Sequence, residues 1–177
     1  MIIRSELAEA AAILNAAHMM CAAARTAPKT RGIDNIKTVI LTDDDIRHVS
    51  DYMIKTAGGR DSVQRDADNI LHAGALIMIG VKKATYGLDC GYCGFVNCEE
   101  CINAKGACIF ATTDLGIAVG SAVSVAADLK IDNRVMYSVG RAFGEMPESG
   151  EEETIWLGIP LSVSGKNPFF DRKRPVK

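Results

Sequence analysis

Five thiols, Cys90, Cys93, Cys98, Cys101 and Cys108, are gathered in one short stretch of a chain that has six cysteines in 177 residues. They are too close together to form a disulfide framework spread over a core. Met1-Ile-Ile-Arg4 runs into a charged, alanine-rich segment, without the basic start, apolar stretch and cleavage site of an export signal. A cytoplasmic chain is therefore expected, in which thiols stay reduced and clustered cysteines act as metal ligands or catalytic groups.

Spacing bears on which metal. Structural zinc usually takes two Cys-x2-Cys knuckles about twelve or more residues apart, so that two turns close a tetrahedron from opposite sides. Here Gly94 to Asn97 is all that separates Cys90-x2-Cys93 from Cys98-x2-Cys101. One loop wrapped around a compact iron–sulfur cluster suits the run better. Gly91, Gly94 and Gly106 would let the chain turn tightly and aim N–H groups at cluster sulfurs, while Tyr92, Phe95, Ile109 and Phe110 would shield the site. Two ligand frames are open. Cys93-x4-Cys98-x2-Cys101 with a distant Cys108 or Cys90 has the plant-type two-iron spacing. The alternative uses Cys90, Cys93, Cys98 and Cys108.

Cys90-Gly-x-Cys93-Gly-x-x-x-Cys98 resembles the motif of four-iron cluster domains in anaerobic electron-transfer proteins. The continuation, Asp114 to Ser124 and Asp132 to Tyr137, is similar to a family of uncharacterised proteins containing a ferredoxin domain. That resemblance implies a 4Fe-4S cluster on Cys90, Cys93, Cys98 and Cys108, with Cys101 spare.

Composition excludes some partners. A net charge of −2 leaves no basic footprint for nucleic acid. Uninterrupted apolar runs such as Ala75–Val81 are far shorter than the roughly eighteen residues of a membrane span, so a soluble protein is expected. The length suits one globular domain over 1–177, with a cysteine-rich excursion at 85–110.

The elements that must position this excursion are α+β in type. Leu7, Ala10, Leu14, Ala17, Cys21 and Ala24 recur at helical steps and predict a helix over 5–25. A loop follows, broken at Pro28 and Gly32 and carrying Arg25, Lys29 and Arg31, a cation group suited to a phosphate. Lys37–Leu41 reads as a strand. Thr42 and Asp43–Asp45 open a helix to Lys55, with Thr42 as N-cap. A further helix spans 61–72, with Val63, Ala67, Ile70 and Leu71 inward. Ala75–Val81 reads as a strand buried on both faces. Helices are expected over 109–129 and, capped by Asp132, to Phe143. A final strand covers Thr154–Pro160, before a basic tail with Arg172, Lys173, Arg174 and Lys177.

This order resembles the nitroreductase-like flavoproteins at Ala27-Pro28, Val39–Asp43, Leu115-Gly116 and Gly158–Pro160. The chain departs from that family in lacking its basic N-terminal start and the Gln-Pro-Trp of its loop. The resemblance implies a three-layer sandwich, a homodimer and FMN held at the subunit interface. Arg25, Lys29 and Arg31 would be its phosphate partners, joined by Arg172 or Arg174. Three functions follow: a cluster passing electrons to a redox partner protein or small-molecule acceptor, a flavin-dependent reductase fed by the cluster, or a zinc-stabilised interaction module.

Overall fold

The computed structural model describes residues 2–150 and 153–170. Among these, the helices are α1 (Ser5–Thr26), α2 (Asp43–Thr56), α3 (Asp61–Ile70), α4 (Cys98–Asn103), α5 (Ile109–Asp128) and α6 (Tyr137–Gly144). The strands are β1 (Ile36–Leu41), β2 (Ala75–Lys82), β3 (Asp132–Asn133) and β4 (Thr154–Ser162). They form one antiparallel sheet in the order β1-β2-β4-β3.

The period of two along β2 builds both cores. Ala75, Ile77, Ile79 and Val81 point to one face, beside Ile36, Ile159 and Leu161, and are covered by α1 and α5. Leu76 and Met78 point to the other, beside Leu41 and Trp156, and are covered by α2, α3 and α6. The result is a three-layer sandwich, as expected. β2 is buried on both sides because helices cover both sides, although its neighbours run antiparallel. α6 presses closest. A Cβ on Gly140 would lie 1.9 Å from the Trp156 carbonyl oxygen, and one on Gly158 would lie 2.5 Å from Val139.

Several expectations need correction. In α1 the buried residues are Ile13, Ala16, Ala17, Met20 and Ala24, whereas Leu7 is 69% and Leu14 39% exposed. Alanine lies all round this helix, so periodicity could not single out the inner face. Leu71 is exposed because α3 ends one residue earlier. Asp132 does not open a helix. It pairs with Ser162 at the sheet edge, and α6 begins at Tyr137. Thr42 occupies the N-cap position of α2 without a side-chain capping bond.

α1 and α5 are also long and apolar enough, by length and composition, to cross a membrane, which a count of uninterrupted runs overlooks. In this fold they pack side by side on the sheet, where the Ser121 hydroxyl donates to the Ala23 carbonyl at 3.1 Å.

The tight α6–β4 contact gives a direct test. Gly140→Ala should lower stability by about 3 kcal/mol, since its neighbour is backbone and cannot turn aside. Gly116→Ala in α5, where nothing lies within 4 Å, should raise it by up to about 1 kcal/mol. Urea denaturation midpoints of the two variants check both.

Candidate metal centre

The cysteine segment leaves the sheet after β2 and returns at α5, with Cys108 at the N-cap position of that helix. Between Cys90 and Cys98 the turns are made by Gly91 (φ 70°) and Gly94 (φ 86°), a region that disfavours any side chain. The segment then forms a helix, α4, where the sequence suggested only loop. The Asn97 side chain accepts the Glu100 N–H at 2.9 Å, and the Glu100 carboxylate accepts the Val96 N–H at 3.2 Å. Asp89 accepts the Cys98 N–H at 2.7 Å. These bonds satisfy helix-start donors that would otherwise be orphaned. Gly106 closes the segment by donating to the Cys101 carbonyl at 2.8 Å. A Cβ there would lie 2.5 Å from the Phe95 ring.

Cys90, Cys93, Cys98 and Cys108 line one cavity, together with Tyr86 and Phe110. Cys108 is buried and the other three are half-buried. Cys101 lies outside this lining and has no exposed surface. Burial pushes its thiol up, and Cys93, Cys108 and Cys98 push it the same way. Tyr92 and Ile109 shield little, since Tyr92 is 74% exposed; it meets Phe110 with ring centroids 6.4 Å apart. Among the described residues, no three His, Cys, Asp or Glu side chains already stand in metal-holding geometry. The donor set fits a thiolate-bound group all the same: four thiols around one space, walled by Phe110.

The wall of this cavity is held by a residue the sequence did not single out. Asp114, in the first turns of α5 and 2% exposed, accepts the Thr30 N–H at 3.0 Å and the Thr30 hydroxyl at 2.9 Å. It also accepts the Tyr86 hydroxyl at 2.7 Å. Three separate segments thus meet on one carboxylate. Burial pushes the Tyr86 phenol up to about 12, reinforced by the hydrogen bond to Asp114 and by the charges of Asp114 and Cys108, against a smaller opposing bond from Asn35. Thr30, Tyr86 and Asp114 are remote in sequence, and no local pattern marks them.

The expected phosphate cations are all engaged within the chain. Arg25 donates to Asp34 at 2.5 Å and to the Ile36 carbonyl at 2.8 Å. Burial alone would raise the Asp34 carboxyl, but the Arg25 bond, the Ile36 N–H and the charges of Arg25 and Lys29 outweigh it and hold it low. Lys29, buried, donates to the Ala24, Arg25 and Ala27 carbonyls and so caps the C-terminus of α1. Arg31 donates to the Tyr86 carbonyl at 2.6 Å. Arg172 and Arg174 lie outside the described residues, as do Lys173 and Lys177. Cys21 is half-buried on α1, and burial pushes its thiol up against the smaller effects of Thr38 and Arg25.

The layers and sheet order define a protein of nitroreductase-like fold. Solved structures with this fold include an oxidoreductase containing FMN, with a TM-score of 0.59, 12% identity and coverage of 86% of this chain and 67% of that one. A nitroreductase with bound FMN from Desulfitobacterium hafniense has a TM-score of 0.57, 16% identity and coverage of 94% and 81%. A BluB-like flavoprotein from Clostridium difficile has a TM-score of 0.56, 18% identity and coverage of 100% and 86%. In sequence, an uncharacterized protein of Archaeoglobus fulgidus is 40% identical over 167 residues, spanning 89% of this chain and 90% of that protein. The family described as "Uncharacterized protein containing a ferredoxin domain (DUF2148)" matches residues 104–172, a span that includes Cys108 and Asp114. The chain belongs to this ferredoxin-domain family.

Because the folded state holds Tyr86 protonated beyond the ordinary phenol range, its contribution to stability is present below pH about 10. It is lost as pH rises from about 10 towards about 12. Absorbance at 295 nm should show one tyrosine ionising after the others, and Tyr86→Phe should remove that late step. A wild type whose tyrosines all ionise together near pH 10 would contradict the clamp.

Proposed function

We propose that the chain is a cytoplasmic, soluble iron–sulfur protein of electron transfer that holds a 4Fe-4S cluster on Cys90, Cys93, Cys98 and Cys108. The observation that carries this reading is that these four thiols line one cavity while Cys101 is buried outside its lining. Membership of a ferredoxin-domain family supports it, and the short gap between the two cysteine pairs speaks against a zinc knuckle. Such a cluster supplies a one-electron couple without acid–base chemistry.

The chain's own residues divide the remaining work. Cys108 and Tyr86 form the buried floor, held by Asp114. Cys90, Cys93 and Cys98 form the outer lip. Around the mouth, Leu88, Tyr92 and Val96 leave apolar surface in solvent, Val96 at 77%. That rim suits a redox partner protein or a small-molecule acceptor. The outer side of α1, with Leu7, Leu14 and Met19 exposed, suits a homodimer contact.

The fold favours a second reading, in which the chain also binds FMN and acts as an oxidoreductase. Arg25, Lys29 and Arg31 are then the phosphate candidates, and their bonds to Asp34, the α1 carbonyls and the Tyr86 carbonyl would have to be shared or exchanged.

Absorption, iron, sulfide and zinc analysis of protein purified without oxygen decides between these readings. Broad brown absorption with matching iron and sulfide is expected, and added flavin bands would bring in the second reading. A colourless, zinc-loaded sample would sink both. Among single variants, Cys108→Ser should lose most of its iron and Cys101→Ser should keep it. The reverse would transfer the fourth ligand to Cys101.

A further inference from the structure

Asp114 is a buried carboxylate that, among the described residues, accepts from three neutral donors, the Thr30 N–H, the Thr30 hydroxyl and the Tyr86 hydroxyl. They spread its charge without cancelling it. Tyr86, which carries one of those donors, lines the same cavity as Cys108. The cation bonded to this wall, Arg31, donates to the Tyr86 backbone carbonyl. A buried charge at this position is screened little by solvent or salt.

We propose that Asp114 is a positioning residue that also holds the reduction potential of the thiolate-bound group low, with Tyr86 and Thr30 as the donors that moderate its charge. The inference rests on the iron–sulfur reading above. Taking up one electron adds one negative charge to the group. No bond is made or broken in the chain. A fixed carboxylate charge behind the cavity wall therefore disfavours the reduced form. Each neutral donor aimed at that carboxylate draws part of its charge away, and so partly relieves the effect.

The two kinds of substitution then act in opposite directions, which a purely structural clamp would not produce. Redox titration of the full chain, purified without oxygen and measured at pH 8 in low and high salt, reads this directly. Asp114→Asn removes the charge and should shift the midpoint potential to more positive values, by the same amount in both salts. Tyr86→Phe and Thr30→Val each leave the charge and remove a donor, and should shift it to more negative values. A loosened loop would move all three variants the same way. A common sign, or an unmoved potential in Asp114→Asn, overturns the proposal. Should Asp114→Asn fail to load iron, the donor variants still decide: a negative shift supports the proposal, and a positive shift or none overturns it. Iron and sulfide analysis of the wild type separates the two levels. A sample free of both overturns the iron–sulfur reading and this inference together, whereas an iron-loaded wild type with same-sign variants overturns this inference alone.

Discussion

The arrangement around the cysteines depends on one buried carboxylate. Asp114 stands in the first turns of α5 and receives bonds from the loop after α1 and from the segment after β2. At the point of contact the first segment has only the 3₁₀ turn Thr30–Gly32, and the second has no helix or strand. Each leaves backbone groups that solvent would otherwise satisfy, and each is fixed by a donor aimed at the same two oxygens. Arg31 tightens the junction by bonding the Tyr86 carbonyl from the loop side. A buried acceptor with all its donors in place is highly sensitive to the loss of any one of them, because an unmet buried charge costs more than the bond itself contributes. The cavity floor at Tyr86 and Cys108 therefore inherits its position from a contact that no cysteine makes.

That contact can hold the loop only because the layer beneath it is rigid. β2 feeds two cores through alternate side chains, and its neighbours repeat the alternation in register: Ile77 faces Ile159 on one side, and Gly80 faces Trp156 on the other. Gly80, Gly140 and Gly158 remove the side chains that would hold α6 and the Trp156 ring away from the sheet. α5 rests on the opposite face. Its N-terminal end, where Cys108 and Asp114 lie, is thus presented at a fixed height above the strand from which the cysteine segment departs.

What could be read in the sequence follows from this division. The cysteines were legible because their chemistry is local: the glycines that turn the chain and the thiols themselves lie within a few positions of one another, whereas α4, capped where Asn97 accepts the Glu100 N–H, was read only as loop. β2 was legible because burial on both faces leaves an unbroken apolar run. The Asp114 clamp was not legible, since Thr30 is 84 positions from its partner and Tyr86 is 28. Nor was the inner face of α1, where alanine on every side removes the contrast on which periodicity depends. β3 is two residues long, too short for any alternation, and exists only because β4 offers it an edge.

The same division separates what holds the site from what faces outward. Cys108, Tyr86 and Asp114 are buried on the α5 side, where low dielectric strengthens every charge and hydrogen bond. Cys90, Cys93 and Cys98 are carried by a glycine-turned segment with apolar residues open to solvent. An electron-carrying group in this cavity would have its potential governed from the floor and its exchange governed at the lip. Separating the two is physically economical. Substitutions at Leu88, Tyr92 or Val96 can alter which partner approaches without touching the buried charge, and substitutions at Thr30 or Tyr86 can alter how that charge is hydrogen-bonded without changing the surface a partner meets.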